Sequence, residues 1–256
     1  MAPTIVLIGG ANRGLGTLLS WFTYYPLPSL DSFPNSNPIE QNRRKGLLAQ
    51  YISKPDHIVI AANRDPSHPT SKALSELPTG ANSKLVVIKI DGSSPTSAQT
   101  AINTLPCLGI THLDFVIANA EGHFIPNVYG AVRLYQATLS LLLKSKDPKW
   151  VTIGSTAGMI TNQLPIPNGA YGPSKAAIHW LTKRMNVENP PLNAFVLDPG
   201  WCQTELGNAG AVYFGMDQAA VSVEDSCALM VPLITKSTKD SHGGKLWSYE
   251  GGQLEW

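Results

Sequence analysis

Short runs of apolar, mostly β-branched residues recur along the chain and alternate with segments of helical periodicity. The runs are nearly continuously apolar, which is typical of strands in a sheet that is covered on both faces. They predict strands at Thr4–Gly9, His57–Ala62, Leu85–Ile90, Leu113–Ala118, Trp150–Gly154 and Asn193–Leu197, and a weaker strand at Lys245–Ser248.

Helical patterns occupy the segments between these strands. Alternation of strands and helices predicts parallel βαβ units with right-handed crossovers. We therefore expect an α/β fold in one domain over 1–256, with a doubly wound Rossmann-type parallel sheet of about seven strands and helices on both faces. The predicted helices are Thr17–Thr23, Gly46–Ser53, Thr70–Leu77, Pro95–Leu105, Val128–Lys144, Tyr171–Val187 and Val223–Thr235.

One segment departs from this pattern. Tyr24–Arg44 contains four prolines and little periodicity, and it separates two helix-like pieces. A long structureless stretch is uncommon inside a compact domain. We interpret it as part of an insertion, at about 17–45, in the first crossover.

The composition narrows the class of function. The chain has 256 residues, of which 43% are hydrophobic and 14% charged, with 19 basic and 18 acidic side chains. A net charge of +1 argues against nucleic-acid binding. Three cysteines without paired spacing predict neither a disulfide framework nor a metal site. No apolar run is long enough for a membrane span, so we expect a cytoplasmic protein without a membrane partner.

A glycine cluster follows the first strand directly. Glycines let the backbone approach a pyrophosphate, and the N-terminus of the next helix supplies free N–H groups. This placement predicts a phosphate-binding loop, although a plain glycine-rich turn remains an alternative. The predicted cofactor-binding residues in it are Gly10, Asn12, Arg13, Gly14, Leu15 and Gly16.

Arg64 follows the second strand, where dinucleotide folds read the ribose. An acidic residue there suits the 2′-OH of NAD, whereas an arginine accommodates a 2′-phosphate. Arg64, with Arg13 in the glycine cluster, therefore predicts NADP(H). The alternative is that Arg64 is a solvated charge and that Asp65 reads the ribose.

Tyr171 and Lys175 stand one helical turn apart and share a helix face. A nearby ammonium favours the phenolate, so the tyrosine can exchange a proton with a ketone oxygen. Ser155, after the fifth strand, can donate a hydrogen bond to the same oxygen. Taken alone, a tyrosine and a lysine at this spacing are common and usually structural.

Together these motifs make the chain resemble the short-chain dehydrogenase/reductase family. They occur in the family's order and span nearly the whole chain. Within the family, the chain is most similar to fungal norsolorinic acid ketoreductase-like enzymes. The matching residues are Gly10–Gly16, Asp91, Asn119-Ala120, Asn127–Gly130, Ser155, Tyr171, Lys175 and Pro199–Thr204.

The resemblance implies a role for each catalytic candidate. Tyr171 is the general acid/base, and Lys175 lowers its pKa and binds the nicotinamide ribose. Ser155 orients the substrate carbonyl, and Asn127 anchors a water in a proton relay. Asn127 could instead cap the helix that it precedes.

The resemblance also places residues around the cofactor. Asp91 faces the adenine, Asn119 stabilises the strand beside the cofactor, and Thr204 holds the carboxamide end, next to Pro199 and Gly200. Asp91 and Asn119 could merely cap the turns after their strands. Thr204 could be a helix N-cap.

The chain departs from the family at two places. Gly46–Ile52 resembles the helix that normally follows the glycine loop directly, but here it follows the insertion. Asn119 and Asn127 are only eight positions apart, where the family has a much longer segment, and Glu121 replaces the family's glycine. The shortening affects the start of a helix that commonly forms the dimer interface. The sequence therefore leaves open whether the protein forms a homo-oligomer. It also leaves open whether the protein is fully active.

Two explanations of the insertion make different predictions. Either Thr17–Thr23 acts as the phosphate-facing helix and the rest loops out, or the insertion comes from an unspliced segment in the gene model. Mass spectrometry of the native protein distinguishes them. Peptides from Tyr24–Arg44 are expected under the first explanation and absent under the second.

These observations predict an NADPH-dependent ketoreductase acting on an aromatic polyketide ketone or a similar secondary metabolite. A broad apolar loop after Pro199 could cover such a flat substrate, or could be ordinary packing. The alternative function is a catalytically impaired, reductase-like protein that binds a nucleotide. The loop residues are Trp201, Val212, Tyr213, Phe214 and Met216.

Overall fold

The computed structural model of the chain describes residues 2–10, 46–119 and 124–256. The predicted helix Thr17–Thr23 and the insertion at about 17–45 lie outside these ranges.

An eight-stranded sheet forms the centre of the molecule, in the order β3-β2-β1-β4-β5-β6-β7-β8. Strands β1 to β7 are parallel, and only β8 runs antiparallel to its neighbour. This confirms the predicted doubly wound α/β fold, with one strand more than expected. The strands are β1 Thr4–Gly9, β2 His57–Asn63, β3 Lys84–Lys89, β4 Phe115–Ala118, β5 Lys149–Ile153, β6 Asn193–Asp198, β7 Leu246–Ser248 and β8 Gln253–Leu254.

The helices cover both faces of the sheet. Helices α3, α4 and α5 pack on one face around Trp150, and α1 and α7 pack on the other around Phe195. Burial on both faces explains why the strands are continuously apolar. The helices are α1 Gly46–Ile52, α2 Pro69–Lys72, α3 Ser97–Ile102, α4 Ala131–Leu142, α5 Tyr171–Glu188, α6 Glu205–Tyr213, α7 Val223–Lys236 and α8 Lys239–His242.

Several predicted helices are shorter than expected or interrupted. The prediction Thr70–Leu77 becomes α2 followed by a 3₁₀ helix at Ala73–Glu76. The prediction Pro95–Leu105 becomes α3, and a 3₁₀ helix at Leu105–Leu108 then ends at Gly109, whose φ is 77°. The prediction Val128–Lys144 begins inside a π-helix at Ile125–Gly130, which leads into α4.

Helices α6 and α8 were missed in the sequence. Each is short, and each begins at a threonine whose hydroxyl accepts a backbone N–H of the first turn, Thr204 for α6 and Thr238 for α8. Strand β8 has only two residues and was missed as well. Elements of this length carry too little periodicity to stand out in a sequence.

The order of the strands reverses at β1, which lies between β2 and β4. Gly9 at its carboxyl end pairs in register with Ala62 of β2 and Ala118 of β4. Helix α1, the first described helix after β1, packs on one face of the sheet, and α4, which follows β4, packs on the other. Ligands of open α/β sheets bind at this kind of position.

Candidate active site

A cavity of about 680 Å³ lies along the carboxyl edge of the sheet. This volume lies in the usual range of small-molecule and cofactor pockets. Most of the candidate residues in the described ranges line it: Gly10, Arg64, Asn119, Ser155, Tyr171, Lys175, Pro199, Gly200 and Thr204.

Tyr171 and Lys175 share one wall of this cavity. Tyr171 opens α5, and the Lys175 Nζ lies 5.5 Å from the centroid of its ring. Lys175 is buried, and its Nζ donates a hydrogen bond to the Ile153 carbonyl oxygen at 2.8 Å. This bond holds the ammonium beside the phenol, where its positive charge favours the phenolate.

Ser155 lies between β5 and the 3₁₀ helix at Thr156–Gly158. Its Oγ caps that helix by accepting the Ala157 N–H at 3.2 Å. Among the described residues, no hydrogen bond donated by this hydroxyl is found. The hydroxyl proton is thus available to a carbonyl oxygen bound in the cavity.

His179 contacts the backbone of Ser155, and it was not among the residues predicted from the sequence. Its Nε2 accepts the Ser155 N–H at 3.3 Å. Burial, with a smaller contribution from the Lys175 cation, lowers the pKa of His179 to about 3. The ring is therefore neutral near pH 7 and remains an acceptor. Its spacing from Tyr171 and Lys175, eight and four positions along one helix face, was the available signal.

Asn127 is buried and is not among the residues that line the cavity. It lies inside the π-helix rather than at its start, so the interpretation as a helix cap is wrong. Its Nδ2 donates to the Ser174 Oγ at 3.0 Å, and that hydroxyl donates to the Tyr171 carbonyl oxygen at 2.7 Å. Asn127 thereby contacts the first turn of α5, while the water-anchoring role stays a prediction.

Asn168 connects the Ser155 turn to α5. Its Nδ2 donates to the Ala157 carbonyl oxygen at 2.7 Å, and its Oδ1 accepts the Gly172 N–H at 2.8 Å. The long connection between Ser155 and Tyr171 is fixed at this point. The two segments that carry the hydroxyl groups are thus held together by one side chain.

At the predicted adenosine end, Arg64 is exposed, and its Nε lies 3.9 Å from the Asp91 Oδ1. The same Asp91 oxygen accepts the backbone N–H and the hydroxyl of Ser93. These hydrogen bonds lower the pKa of Asp91. Asp91 therefore does hold the turn after β3. The glycine-loop residues Asn12, Arg13, Gly14, Leu15 and Gly16 lie outside the described part of the chain.

Thr204 and Gly200 form the opposite end of the cavity. The Thr204 Oγ1 accepts the Gly207 N–H at 3.0 Å, which confirms the helix-cap interpretation. Gly200 has a φ of 76°, a conformation that favours glycine. A contact of Thr204 with a carboxamide stays a prediction.

The apolar segment after Pro199 is partly helical, so the prediction of a loop there is wrong for two of its residues. Val212 and Tyr213 lie in α6. The Trp201 and Phe214 rings meet edge to face, with centroids 6.3 Å apart. Trp201, Tyr213, Phe214 and Met216 line the cavity, whereas Val212 is exposed on α6 and is not among the lining residues.

The described chain offers neither a metal site nor a membrane span. No group of three or more histidine, cysteine, aspartate and glutamate side chains within it is arranged to hold a metal ion. None of the helices in residues 2–10, 46–119 and 124–256 is both long and apolar enough to cross a bilayer.

Comparison of sequences places the chain among short-chain dehydrogenases. The profile of the short chain dehydrogenase family matches residues 47–210. A norsolorinic acid ketoreductase of Aspergillus parasiticus is 32% identical over 276 residues, covering 99% of this chain and 91% of that protein. A short-chain dehydrogenase of Neurospora crassa is 36% identical over 277 residues, covering 99% of this chain and 98% of that protein.

Solved structures share the fold. An NADPH-bound carbonyl reductase from chicken fatty liver superposes with a TM-score of 0.74 at 19% identity, covering 100% of this chain and 99% of that chain. The carbonyl reductase Sniffer of Drosophila melanogaster gives a TM-score of 0.72 at 18% identity, covering 100% of both chains.

Proposed function

This chain belongs to the short-chain dehydrogenase/reductase family, and on that premise we propose that it is an NADPH-dependent oxidoreductase that reduces a ketone to an alcohol. The observation that carries the proposal is the meeting of Tyr171, Lys175 and Ser155 on one cavity. They supply a proton donor, a cation that stabilises the donor's conjugate base, and a hydrogen-bond donor for the carbonyl oxygen.

The residues around the cavity fit NADP(H). Its volume lies in the usual range of ligand pockets, and it is lined by Gly9, Gly10, Gly154 and Gly200. In the proposal, Arg64 holds the 2′-phosphate, Lys175 the nicotinamide ribose and Thr204 the carboxamide. Asp91 and Asn119 flank the adenosine half. Several solved structures with this fold contain NADP or NADPH.

In the proposed reaction, the protein's own residues orient the substrate carbonyl and transfer a proton to its oxygen. NADPH, when bound, supplies the hydride to the carbonyl carbon. The Ser155 hydroxyl donates a hydrogen bond to the substrate oxygen, and the Tyr171 Oη gives that oxygen its proton. The Lys175 ammonium stabilises the phenolate that remains, until solvent returns the proton.

The proposed substrate is an aromatic polyketide ketone or a similar secondary metabolite. Trp201, Tyr213, Phe214 and Met216 give the cavity an apolar, largely aromatic end that suits a flat ring system. Related proteins are named for norsolorinic acid, which supports this class. Oxidation of NADPH with a panel of quinones and aryl ketones, compared with simple aliphatic ketones, tests it. Faster turnover of the aliphatic set would contradict it.

Replacing Arg64 by alanine tests the cofactor. The substitution removes the guanidinium from the 2′-phosphate, a charge-assisted contact, so the Kd for NADPH is expected to rise by about 10- to 100-fold. The Kd for NADH, which lacks this phosphate, should change little. Fluorescence titration with both nucleotides measures the two constants.

Arg184→Ala is a matched control for Arg64→Ala. Arg184 is also about half exposed, but it pairs with Glu188 at the far end of α5. This variant should bind both nucleotides like the parent. If Arg64→Ala raised the Kd for NADPH and the Kd for NADH by the same factor, Arg64 would not contact the 2′-phosphate.

The second candidate is a nucleotide-binding protein with impaired catalysis. It is favoured by the position of Asn127, which is bonded to Ser174 and lies behind the cavity wall. Tight NADPH binding with no turnover of any ketone in the panel would support this candidate.

A further inference from the structure

Asp198 is a buried carboxylate that sequence reasoning gave no role. It is the last residue of β6 and is only 7% exposed. Its Oδ1 accepts the Thr156 N–H at 3.0 Å, and its Oδ2 accepts the Gly200 N–H at 3.3 Å. The two donors belong to different turns, the one that begins at Ser155 and the one at Pro199-Gly200, and both turns line the cavity.

We infer that Asp198 is a positioning residue of the active site, whose carboxylate fixes the Ser155 turn relative to the Pro199-Gly200 turn. The inference rests on the proposed function, in which the first turn orients the ketone and the second lies at the nicotinamide end. A reacting carbon and a hydride donor need to be held within about 0.5 Å of the productive geometry to react efficiently. Because Asp198 accepts hydrogen bonds from both turns, it holds the Ser155 turn and the Pro199-Gly200 turn in this alignment.

A carboxylate suits this bridge better than an amide. Both of its oxygens are acceptors, and each faces one backbone N–H. An asparagine offers only one acceptor, so its NH₂ group would face the other N–H and that bond would be lost. The expected result of Asp198→Asn is one intact turn and one loosened turn.

The charge of Asp198 also acts on the catalytic pair. In the described structure, the titratable groups that interact with it are Lys175, on α5, and Tyr249, after β7, and His179 lies close by on α5. Burial raises the pKa of Asp198, while the two N–H bonds and the Lys175 cation oppose this rise. His179 is neutral near pH 7. The negative charge of Asp198 therefore partly compensates the positive charge of the Lys175 ammonium.

Loss of this negative charge has a predictable sign. Without it, the Lys175 ammonium acts on Tyr171 with less compensation, so the phenolate is favoured more strongly and the pKa of Tyr171 falls. The limb of the pH–rate profile that reports Tyr171 should therefore move to lower pH. A side chain that only supported the fold would not move this limb in a defined direction.

Asp114 provides a matched control. It precedes β4 at the amino edge of the sheet, away from the cavity. Its Oδ2 accepts the Ile5 N–H at 2.8 Å, and its Oδ1 accepts the Ser145 hydroxyl at 2.6 Å. Asp114→Asn therefore removes a charge and weakens two hydrogen bonds without touching either turn.

The experiment compares Asp198→Asn with Asp114→Asn in the full chain. Phenanthrenequinone and NADPH serve as substrates, kcat and KM are measured across pH, and amide hydrogen exchange is followed by mass spectrometry. For Asp198→Asn we expect kcat to fall by about 10- to 100-fold, since misplacement at the reacting centre costs this much. The pH limb should move down by about one unit, and the peptide of the turn that loses its bond, containing either Thr156 or Gly200, should exchange faster. Asp114→Asn should show none of these three changes.

Asp198→Glu keeps the negative charge on a side chain that is one methylene longer. This variant replaces Asp198→Asn in the experiment if the asparagine variant does not fold. It should retain the parent's pH limb while kcat remains reduced. A parental kcat in Asp198→Glu, or an Asp198→Asn variant with the pH limb and exchange of the parent, would overturn the inference. If the parent turns over no ketone, the proposed function fails. In that case, unchanged exchange at the two turns overturns the inference, and faster exchange there supports the bridge.

Discussion

Replacing Tyr171 by phenylalanine is expected to reduce kcat for ketone reduction by about 10²- to 10⁴-fold, the usual contribution of a positioned proton donor. The variant keeps the ring that lies 5.5 Å from the Lys175 Nζ and removes only the hydroxyl. NADPH binding should remain within a few fold of the parent, because Arg64 and the cavity walls are unchanged. Stopped-flow oxidation of NADPH and a fluorescence titration measure the two quantities separately.

Tyr213→Phe is the matched control for this experiment. Tyr213 also lines the cavity, but it lies at the apolar end, on α6. Removal of its hydroxyl should leave kcat within a few fold. A Tyr171→Phe variant that turned over like Tyr213→Phe would exclude the proposed proton transfer, whereas an inactive parent that binds NADPH would favour the nucleotide-binding alternative.

Replacing Gly154 by alanine is expected to destabilise the fold by about 1–3 kcal/mol, the typical cost of overpacking a core. A Cβ at this position would lie 2.4 Å from the Val196 Cγ1 and 2.6 Å from the His179 Nε2. Val196 and His179 are both buried, so neither can easily move away. The melting temperature should fall by about 2–10 °C for a chain of this size. Thermal unfolding followed by circular dichroism measures it.

The same substitution should also impair catalysis. Gly154 precedes Ser155, and the His179 ring that the new methyl group would displace accepts the Ser155 N–H. The control is Gly169→Ala, in the loop before α5, where a Cβ would meet no atom within 4 Å. That variant should keep the parent's stability. A Gly154→Ala variant as stable and as active as Gly169→Ala would show that the close packing around Gly154 does not constrain Ser155.

Strands β1, β2, β4, β5 and β6 were predictable because each is largely buried on both faces and therefore reads as an apolar run. The edge strand β3 is partly exposed but still carries the apolar run Leu85–Ile88. The π-helix at Ile125–Gly130 could not be read in this way, since no periodicity distinguishes it from the start of α4. Helix α6 lies within the segment that the sequence predicts as an apolar loop. Its start depends on the hydroxyl of Thr204 and on the Trp201 Nε1, which donates to the Gly207 carbonyl oxygen at 3.1 Å.

Within the candidate site, the residues that could be predicted from the sequence are those that lie close together along the chain or belong to a motif. Tyr171 and Lys175 are one turn apart on a helix, so their proximity follows from helix geometry. The contacts that support them join distant parts of the chain. Asn127 to Ser174 spans 47 positions, Ser155 to His179 spans 24 and Thr156 to Asp198 spans 42.

The sequence by itself determined the succession of the longer strands and helices along the chain, the doubly wound class and the tyrosine–lysine pair, because these depend on burial pattern and on spacing along one helix. Only the tertiary structure decided that His179 and Asp198 hold the Ser155 turn and that Asn127 lies behind the cavity wall. Such contacts form where separate strands end at one edge of the sheet. The strand order that brings them together is a property of the packed chain, not of any local stretch of residues.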